Sequence, residues 1–184
     1  MPMPHLLSNM RSKKGILEGP FLLLDLVCVS LSFVWGVSLT MLPILAFQLG
    51  SNFVEIGLIA TAFSLVYGIG QPLWGTLSDR LGRRKIFVVL GMALSGLMFL
   101  VVGFAETTAQ IILARSGVGL FIAAVVPTAQ ALTADISPPE KYGKNLGALN
   151  ASMSIGFAFG LGLSGALADL LGIRNTLILC AAIS

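Results

Sequence analysis

The sequence carries little charge and few of the residues that build catalytic or metal centres. Charged residues make up 10% of its 184 residues, against about 25% in a typical soluble domain. Its single histidine, His5, lies in a polar N-terminal stretch, and its two cysteines, Cys28 and Cys180, lie inside apolar runs. A metal site, a cofactor and a disulfide framework are therefore not indicated, and we expect the protein not to be an enzyme.

Two further absences narrow the functional classes. The sequence has no basic stripe with interleaved aromatic residues, so nothing supports a nucleic-acid partner. It also has no Walker loop, G-x-x-x-x-G-K-[ST], so ATP hydrolysis is not built into this chain. The partner that the composition does indicate is the lipid bilayer, because 56% of the residues are hydrophobic and a soluble core of this size could not hide them.

Apolar runs of about 20 residues, the length of a helix that crosses a bilayer, recur along the chain. We predict an all-α membrane protein with a cytoplasmic leader at residues 1–20 and a transmembrane bundle at residues 21–184. The predicted helices span about 21–49, 56–77, 86–105, 109–134, 146–168 and 175–184. The sixth run covers only about half of a ~30 Å hydrocarbon core, and a chain end there would be costly. We therefore expect the sequence to be truncated within helix 6.

The distribution of cations predicts a multi-pass protein of the plasma (inner) membrane. Its N-terminus is expected to face the cytoplasm. In that orientation the outer loops hold a single cation, Arg174, and Arg115 lies within a helix. The inner segments hold the other nine cations, which are Arg11, Lys13, Lys14, Arg80, Arg83, Arg84, Lys85, Lys141 and Lys144. This asymmetry follows the positive-inside rule.

The link between the second and third predicted helices has the most informative pattern. Residues 75–85 fit G-x-x-x-D-R-x-G-R-R-K. We expect Gly75 to allow close approach of neighbouring helices and Gly82 to form a tight turn with positive φ. We expect Asp79 to pair with Arg83, while Arg80, Arg84 and Lys85 can reach lipid phosphates. An ordinary positive-inside anchor is the alternative, although an anchor needs only cations and not this spacing.

This spacing resembles the signature loop of the major facilitator superfamily. The resemblance implies the N-terminal six-helix bundle of a twelve-helix secondary transporter, made of two inverted three-helix repeats. It implies a small-molecule substrate, protons as the coupling ion, and a C-terminal six-helix half as the missing partner. It also implies a gating function for the loop together with an acidic residue at the inner end of helix 4, where this chain has Asp135. The gating residues are then Gly75, Asp79, Arg80, Gly82, Arg83, Arg84 and Asp135.

Arg115 is the only charge in the fourth predicted helix, about 9 Å from its outer end. A buried arginine is costly unless it is paired or hydrated, so it either lines a cavity or extends its head to the outer headgroups. Members of the superfamily have an arginine in this part of helix 4, followed by glycines such as Gly117 and Gly119 here. Proton transfer has been attributed to that arginine in the superfamily. Arg115 is therefore a candidate for proton coupling.

Helix 5 carries small residues at a spacing of four, which allows close helix crossing. They are Ala148, Ser152, Gly156, Gly160, Ser164 and Ala168. With Gly147 and Gly165 they also resemble the superfamily's antiporter motif, but Leu161 replaces its proline and Ser164 one of its glycines. We expect Gly147, Ser152, Gly156, Gly160 and Gly165 to pack helices, and the resemblance suggests drug–proton antiport.

Three alternatives stay open. Asp25 in helix 1 is a proton-coupling carboxylate or an interfacial residue held in water. The absent proline at position 161 leaves proton-coupled uptake of a sugar, an organic acid or a peptide open beside efflux. A non-transporting, half-size membrane subunit is the third alternative.

Pro43, Pro72 and Pro127 are candidates for kinks in helices 1, 2 and 4.

Overall fold

Residues 4–184 form six α-helices joined by short turns. A computed structural model describes the backbone of these residues and the side chains of residues 21–184. The elements are α1 (Pro4–Gln48), α2 (Phe53–Leu81), α3 (Arg84–Gly103), α4 (Thr108–Ile136), a 3₁₀ turn (Pro139–Lys141), α5 (Tyr142–Leu171) and α6 (Ile173–Ile183). The predicted all-α membrane fold is thereby confirmed. The side chains of the predicted leader, residues 1–20, lie outside the described residues.

Several helix ends differ from those predicted, and α5, for example, spans Tyr142–Leu171 rather than about 146–168. The first helix begins at Pro4 rather than near residue 21. Proline is well tolerated there, because the first helical N–H has no partner within the helix. The second helix continues to Leu81 rather than ending near residue 77, since no residue between them interrupts it. It stops at Gly82, whose φ of 62° is left-handed, as predicted from the sequence.

Within the described part of the chain, five segments are long and apolar enough to cross a membrane. They are Phe21–Gln48, Phe53–Leu81, Arg84–Gly103, Thr108–Ile136 and Pro139–Leu171.

At the end of the bundle opposite the α2–α3 loop, α2 and α4 both begin with a capping box. Asn52 exchanges side-chain–backbone hydrogen bonds of 2.9 Å with Glu55, and Thr107 pairs in the same way with Gln110. These caps satisfy orphan N–H groups and fix where the two helices start.

The helix pairing is partly symmetric between the two halves of the bundle. The principal contacts join α1 to α5, α2 to α4, α3 to α4 and α3 to α6. Exchanging the first three helices with the last three converts the α1–α5 pair into the α2–α4 pair and leaves the α3–α6 pair unchanged. The symmetry is only partial, because the same exchange maps the close α3–α4 contact onto a weaker α1–α6 contact. This pattern agrees with two three-helix repeats, as the resemblance implied.

The closest helix contact is between α1 and α5. An added Cβ at Gly156 would collide with the carbonyl oxygen of Val29, and one at Gly160 would collide with that of Phe33. Gly36 of α1 approaches the Phe157 carbonyl in the same way. Small residues therefore let the two backbones touch, as the spacing of four predicts.

Three other glycines make no close helix contact among the described residues, so their expected packing function stays a prediction. An added Cβ at Gly75, Gly147 or Gly165 would meet nothing within 4 Å among the described residues. Ser152 is half-buried. The reason is geometric: a helix meets a given neighbour along one face only, and these glycines lie where no described helix approaches.

Candidate functional site

Three charged side chains meet at the end of the bundle that holds the α2–α3 loop. Arg84 Nη2 lies 3.0 Å from Asp79 Oδ1, and Arg84 Nη1 lies 3.0 Å from Asp135 Oδ2. We refer to Asp79, Arg84 and Asp135 as the ion triad. It joins the last turn of α2, the first turn of α3 and the last turn of α4.

The partner of Asp79 is Arg84 and not Arg83 as expected from the sequence. Gly82 ends α2 in a left-handed conformation, and Arg83 serves as the N-cap of α3. Arg84 is thus the first helical residue, and its side chain turns between the two carboxylates. Arg83 and Arg80 are exposed. A cavity of about 540 Å³ lies at this end of the bundle. It is lined by the ion triad and by Gly82, Arg83, Lys85, Ile86 and Leu132.

The ion triad is largely open to solvent. The side chains of Asp79 and Asp135 are 62% and 53% exposed, and that of Arg84 is 22% exposed. Ion pairs in such surroundings contribute roughly 0–1 kcal/mol to stability. The triad can therefore form and separate at little cost to the stability of the fold.

Arg115 lies inside the bundle and not on its exposed surface. Its residue is only 3% exposed. Its Cζ lies 4.1 Å from the ring centroid of Phe63 on α2 and 5.8 Å from that of Phe99 on α3, which is cation–π geometry for the nearer ring. Its Nη1 has no hydrogen-bond partner among the described residues. Arg115 lines a small cavity between α1, α2 and α4.

Next to Arg115 is an aromatic cluster that the sequence analysis missed. We define it as Trp35, Phe63, Tyr67 and Phe157, from α1, α2 and α5. Phe63 and Tyr67 stack at 5.6 Å, and the Trp35 ring lies within about 6 Å of the other three. The spacing of four between Phe63 and Tyr67 was a usable signal, because such residues share a helix face. Only tertiary packing brings Trp35 and Phe157 to them.

Asp25 is not part of either group. It is half-buried on α1, next to an apolar cluster formed by Leu24, Cys28, Ala129 and Leu149. It precedes Ser38, which lines the Arg115 cavity, by about 20 Å of helix. Asp25 and Arg115 therefore occupy different levels of the bundle.

The fold and site define a multi-helix membrane protein whose charges converge at one end of the bundle. The family model described as the Major Facilitator Superfamily matches residues 24–184, and the chain belongs to this family. It is 34% identical over 145 residues to the uncharacterized MFS-type transporter MJ1560 of Methanocaldococcus jannaschii, covering 79% of this chain and 37% of that protein. It is 31% identical over 134 residues to the quinolone resistance protein NorA of Staphylococcus aureus, covering 73% and 34%. The match thus spans little more than a third of these relatives.

Proposed function

We propose that this chain forms one six-helix half of a secondary active transporter that moves a small molecule across the membrane by alternating access. The observation that carries the proposal is the ion triad. It links three helix ends through exposed ion pairs that are weak enough to break and re-form within a transport cycle. Asp79, Arg84 and Asp135 are then the gating residues, and Gly82 sets their geometry.

The exposed faces of α2 and α5 are available for contact with a second half. Leu65, Ile69 and Leu73 form an exposed apolar stripe at a spacing of four on α2, and Ile155, Phe159 and Leu163 form another on α5. The relatives are about three times as long as the matched segment. A C-terminal six-helix half packed along these helices would enclose a transport path between the two halves.

The aromatic cluster supports drug-like, aromatic substrates, which is compatible with efflux of such molecules. Its rings present stacking faces on the side of α1, α2 and α5, and three of its four members are only partly buried. Planar aromatic molecules and organic cations bind well to such faces. The similarity to a protein named for quinolone resistance points the same way.

Proton coupling is assigned to Arg115 and Asp25, which are charges within the fourth and first membrane helices and lie outside the ion triad. Intramembrane charges are costly, so they generally serve ion or substrate pathways. The N-terminus and the ion triad face the cytoplasm of the plasma membrane in this proposal, as the cation asymmetry requires. Uptake of a sugar, an organic acid or a peptide is the second candidate, because Leu161 stands where the antiporter pattern has proline.

The test is transport by the natural gene product, at the length that the cell makes it, in proteoliposomes. A fluorescent planar aromatic cation is the probe, and an imposed pH gradient is the driving force. We expect probe movement that is coupled to the gradient and collapses with a protonophore. Gradient-driven accumulation of a sugar, an organic acid or a peptide, with no movement of the probe, would establish uptake. Movement of none of these solutes would favour a non-transporting subunit.

A further inference from the structure

The turn between α5 and α6 repeats the sequence pattern of the α2–α3 loop. Residues 75–84 and residues 165–174 both fit G-x-L-x-D-x-L-G-x-R, with the six defined residues identical at a constant offset. Each copy ends its helix at a glycine with positive φ, which is 62° at Gly82 and 81° at Gly172. The two turns therefore share a glycine helix stop as well as a sequence.

The second copy lies at the end of the bundle opposite the ion triad. Arg174 Nη1 donates to the Gly103 carbonyl at 3.3 Å. Gly103 is the last residue of α3, and Arg84 of the ion triad is its first. The two copies of the pattern are thus separated by the length of α3. We refer to Asp169 and Arg174, the counterparts of Asp79 and Arg84, as the distal pair.

A cavity of about 700 Å³ at the distal pair has a lining that matches the ion-triad cavity. The counterparts of Asp79, Gly82, Arg83, Arg84 and Lys85 all line it, and they are Asp169, Gly172, Ile173, Arg174 and Asn175. The end of α1 completes its wall with Ile44 and Gln48, as the end of α4 completes the ion-triad cavity with Leu132 and Asp135. Exchange of α1 with α4 relates the two walls, so the resemblance extends beyond the repeated sequence.

The ion triad is paired in this structure and the distal pair is not. Among residues 21–184, every ion pair within 4.0 Å belongs to the ion triad, and Asp169 and Arg174 are exposed. The difference lies in where the following helix begins, because α3 starts two residues after Gly82 and α6 starts directly after Gly172. Arg174 is therefore turned by about 100° from the position that Arg84 has. Unwinding of Ile173 alone would give Arg174 that position, and a glycine at 172 permits the change.

We propose that Asp169 and Arg174 hold closed the end of the bundle opposite the ion triad, and that they pair when the ion triad separates. The inference rests on the proposed alternating access, in which one end of the path closes while the other opens. It adds two gating residues to those at the α2–α3 loop. The structure then represents the state in which the ion-triad end is closed, and exposure of both pairs lets one replace the other with little change in stability.

Thiol labelling of single cysteines in the natural gene product tests the distal pair without any substrate. The reporters are Leu58→Cys and Leu77→Cys, which are exposed near the two ends of α2, in a protein without other cysteines in nanodiscs. We expect Asp169→Asn and Arg174→Gln each to label Leu58→Cys at least threefold faster and Leu77→Cys at least threefold slower. Asp79→Asn should do the reverse. Glu106→Gln is the matched control, because Glu106 is exposed at the distal end but does not line the cavity, and it should change neither rate.

The outcomes separate this inference from the proposed function. Unchanged rates in both Asp169→Asn and Arg174→Gln, or shifts in the same direction as in Asp79→Asn, would overturn the distal pair and leave transport untouched. The opposite shifts in a protein that moves no solute would support the distal pair and remove the proposed function. Charge reversal tests the pairing itself: Asp169→Arg combined with Arg174→Asp should restore the labelling rates that each reversal alone changes. Absence of that rescue would overturn the pairing.

Discussion

Arg84 Nη1 lies 3.0 Å from Asp135 Oδ2, and each of the two charges stands at the unfavourable end of its own helix. Arg84 is the first residue of α3, where the helix dipole disfavours a cation, and Asp135 is in the last turn of α4, where it disfavours an anion. Asp79, in the last turn of α2, is in the same position. Each placement costs about 0.3–1 kcal/mol, and the pairing between helices offsets part of this cost.

Replacing Arg84 tests this relationship, with Arg83 as the matched control. We expect Arg84→Gln to slow transport by the natural gene product at least tenfold, about 1.4 kcal/mol in the transport barrier, because it unpairs both carboxylates. Arg83→Gln should retain most of the rate, since Arg83 lies outside the ion triad. Initial rates in proteoliposomes, normalised to protein content, measure both. A larger loss in Arg83→Gln would reverse the assignment.

Asp79→Asn tests the carboxylate on α2. The amide preserves the shape but removes the charge that pairs with Arg84, so we expect transport to be lost while membrane abundance stays largely intact. The exposed position of Asp79 supports that second expectation, because the pair contributes little to stability. Transport and immunoblots of the same membranes measure the two effects. Normal transport by this variant would leave the loop as a positive-inside anchor only.

The parts of this fold that could be predicted are those that local chemistry determines. The left-handed conformation of Gly82 could be predicted from its place in the short link between two helices, because a left-handed helix stop favours glycine. The close packing at Gly156 and Gly160 could be predicted from their spacing of four. The partner of Asp79 could not be predicted, because successive residues of a helix point about 100° apart. A one-residue shift in the start of α3 therefore exchanges Arg83 for Arg84.

The rest depends on which helices become neighbours, and a single sequence does not encode that locally. Gly165 lies on α5 near Gly160, and only the position of α1 decides which of the two is covered. In the same way, the α1–α5 contact brings Trp35 to Phe157. The inward direction of Arg115 is also tertiary, since Phe63 and Phe99 come from two other helices.

The two glycines on α5 give a stability prediction with an internal control. Gly160→Ala places a methyl group against the Phe33 backbone carbonyl, so we expect destabilisation by about 1–3 kcal/mol. Gly165→Ala adds the same methyl group in open space and should be neutral or stabilising by about 0.5–1 kcal/mol. Thermal unfolding of both variants in detergent measures the difference. Equal stabilities would contradict the close α1–α5 contact.

The proposed topology can be tested with two exposed glutamates, Glu106 and Glu140, at opposite ends of α4. The native Cys28 and Cys180 are buried and can be replaced first. On intact cells, we expect an impermeant thiol reagent to label Glu106→Cys only, because the cation asymmetry places Glu140 in the cytoplasm. Glu140→Cys should react after permeabilisation. The reverse labelling pattern would invert the orientation.

Arg115→Lys tests whether the shape of the guanidinium matters in addition to its charge. The planar Arg115 group lies over the Phe63 ring at 4.1 Å, and Arg115 lines the small cavity. Lysine keeps the charge but is a compact, strongly hydrated ammonium without the planar fork. We therefore expect at least a tenfold loss of substrate-driven proton movement in proteoliposomes, about 1.4 kcal/mol in the barrier. Wild-type rates in Arg115→Lys would remove Arg115 from the proton pathway, because a long side chain with a cation would then suffice.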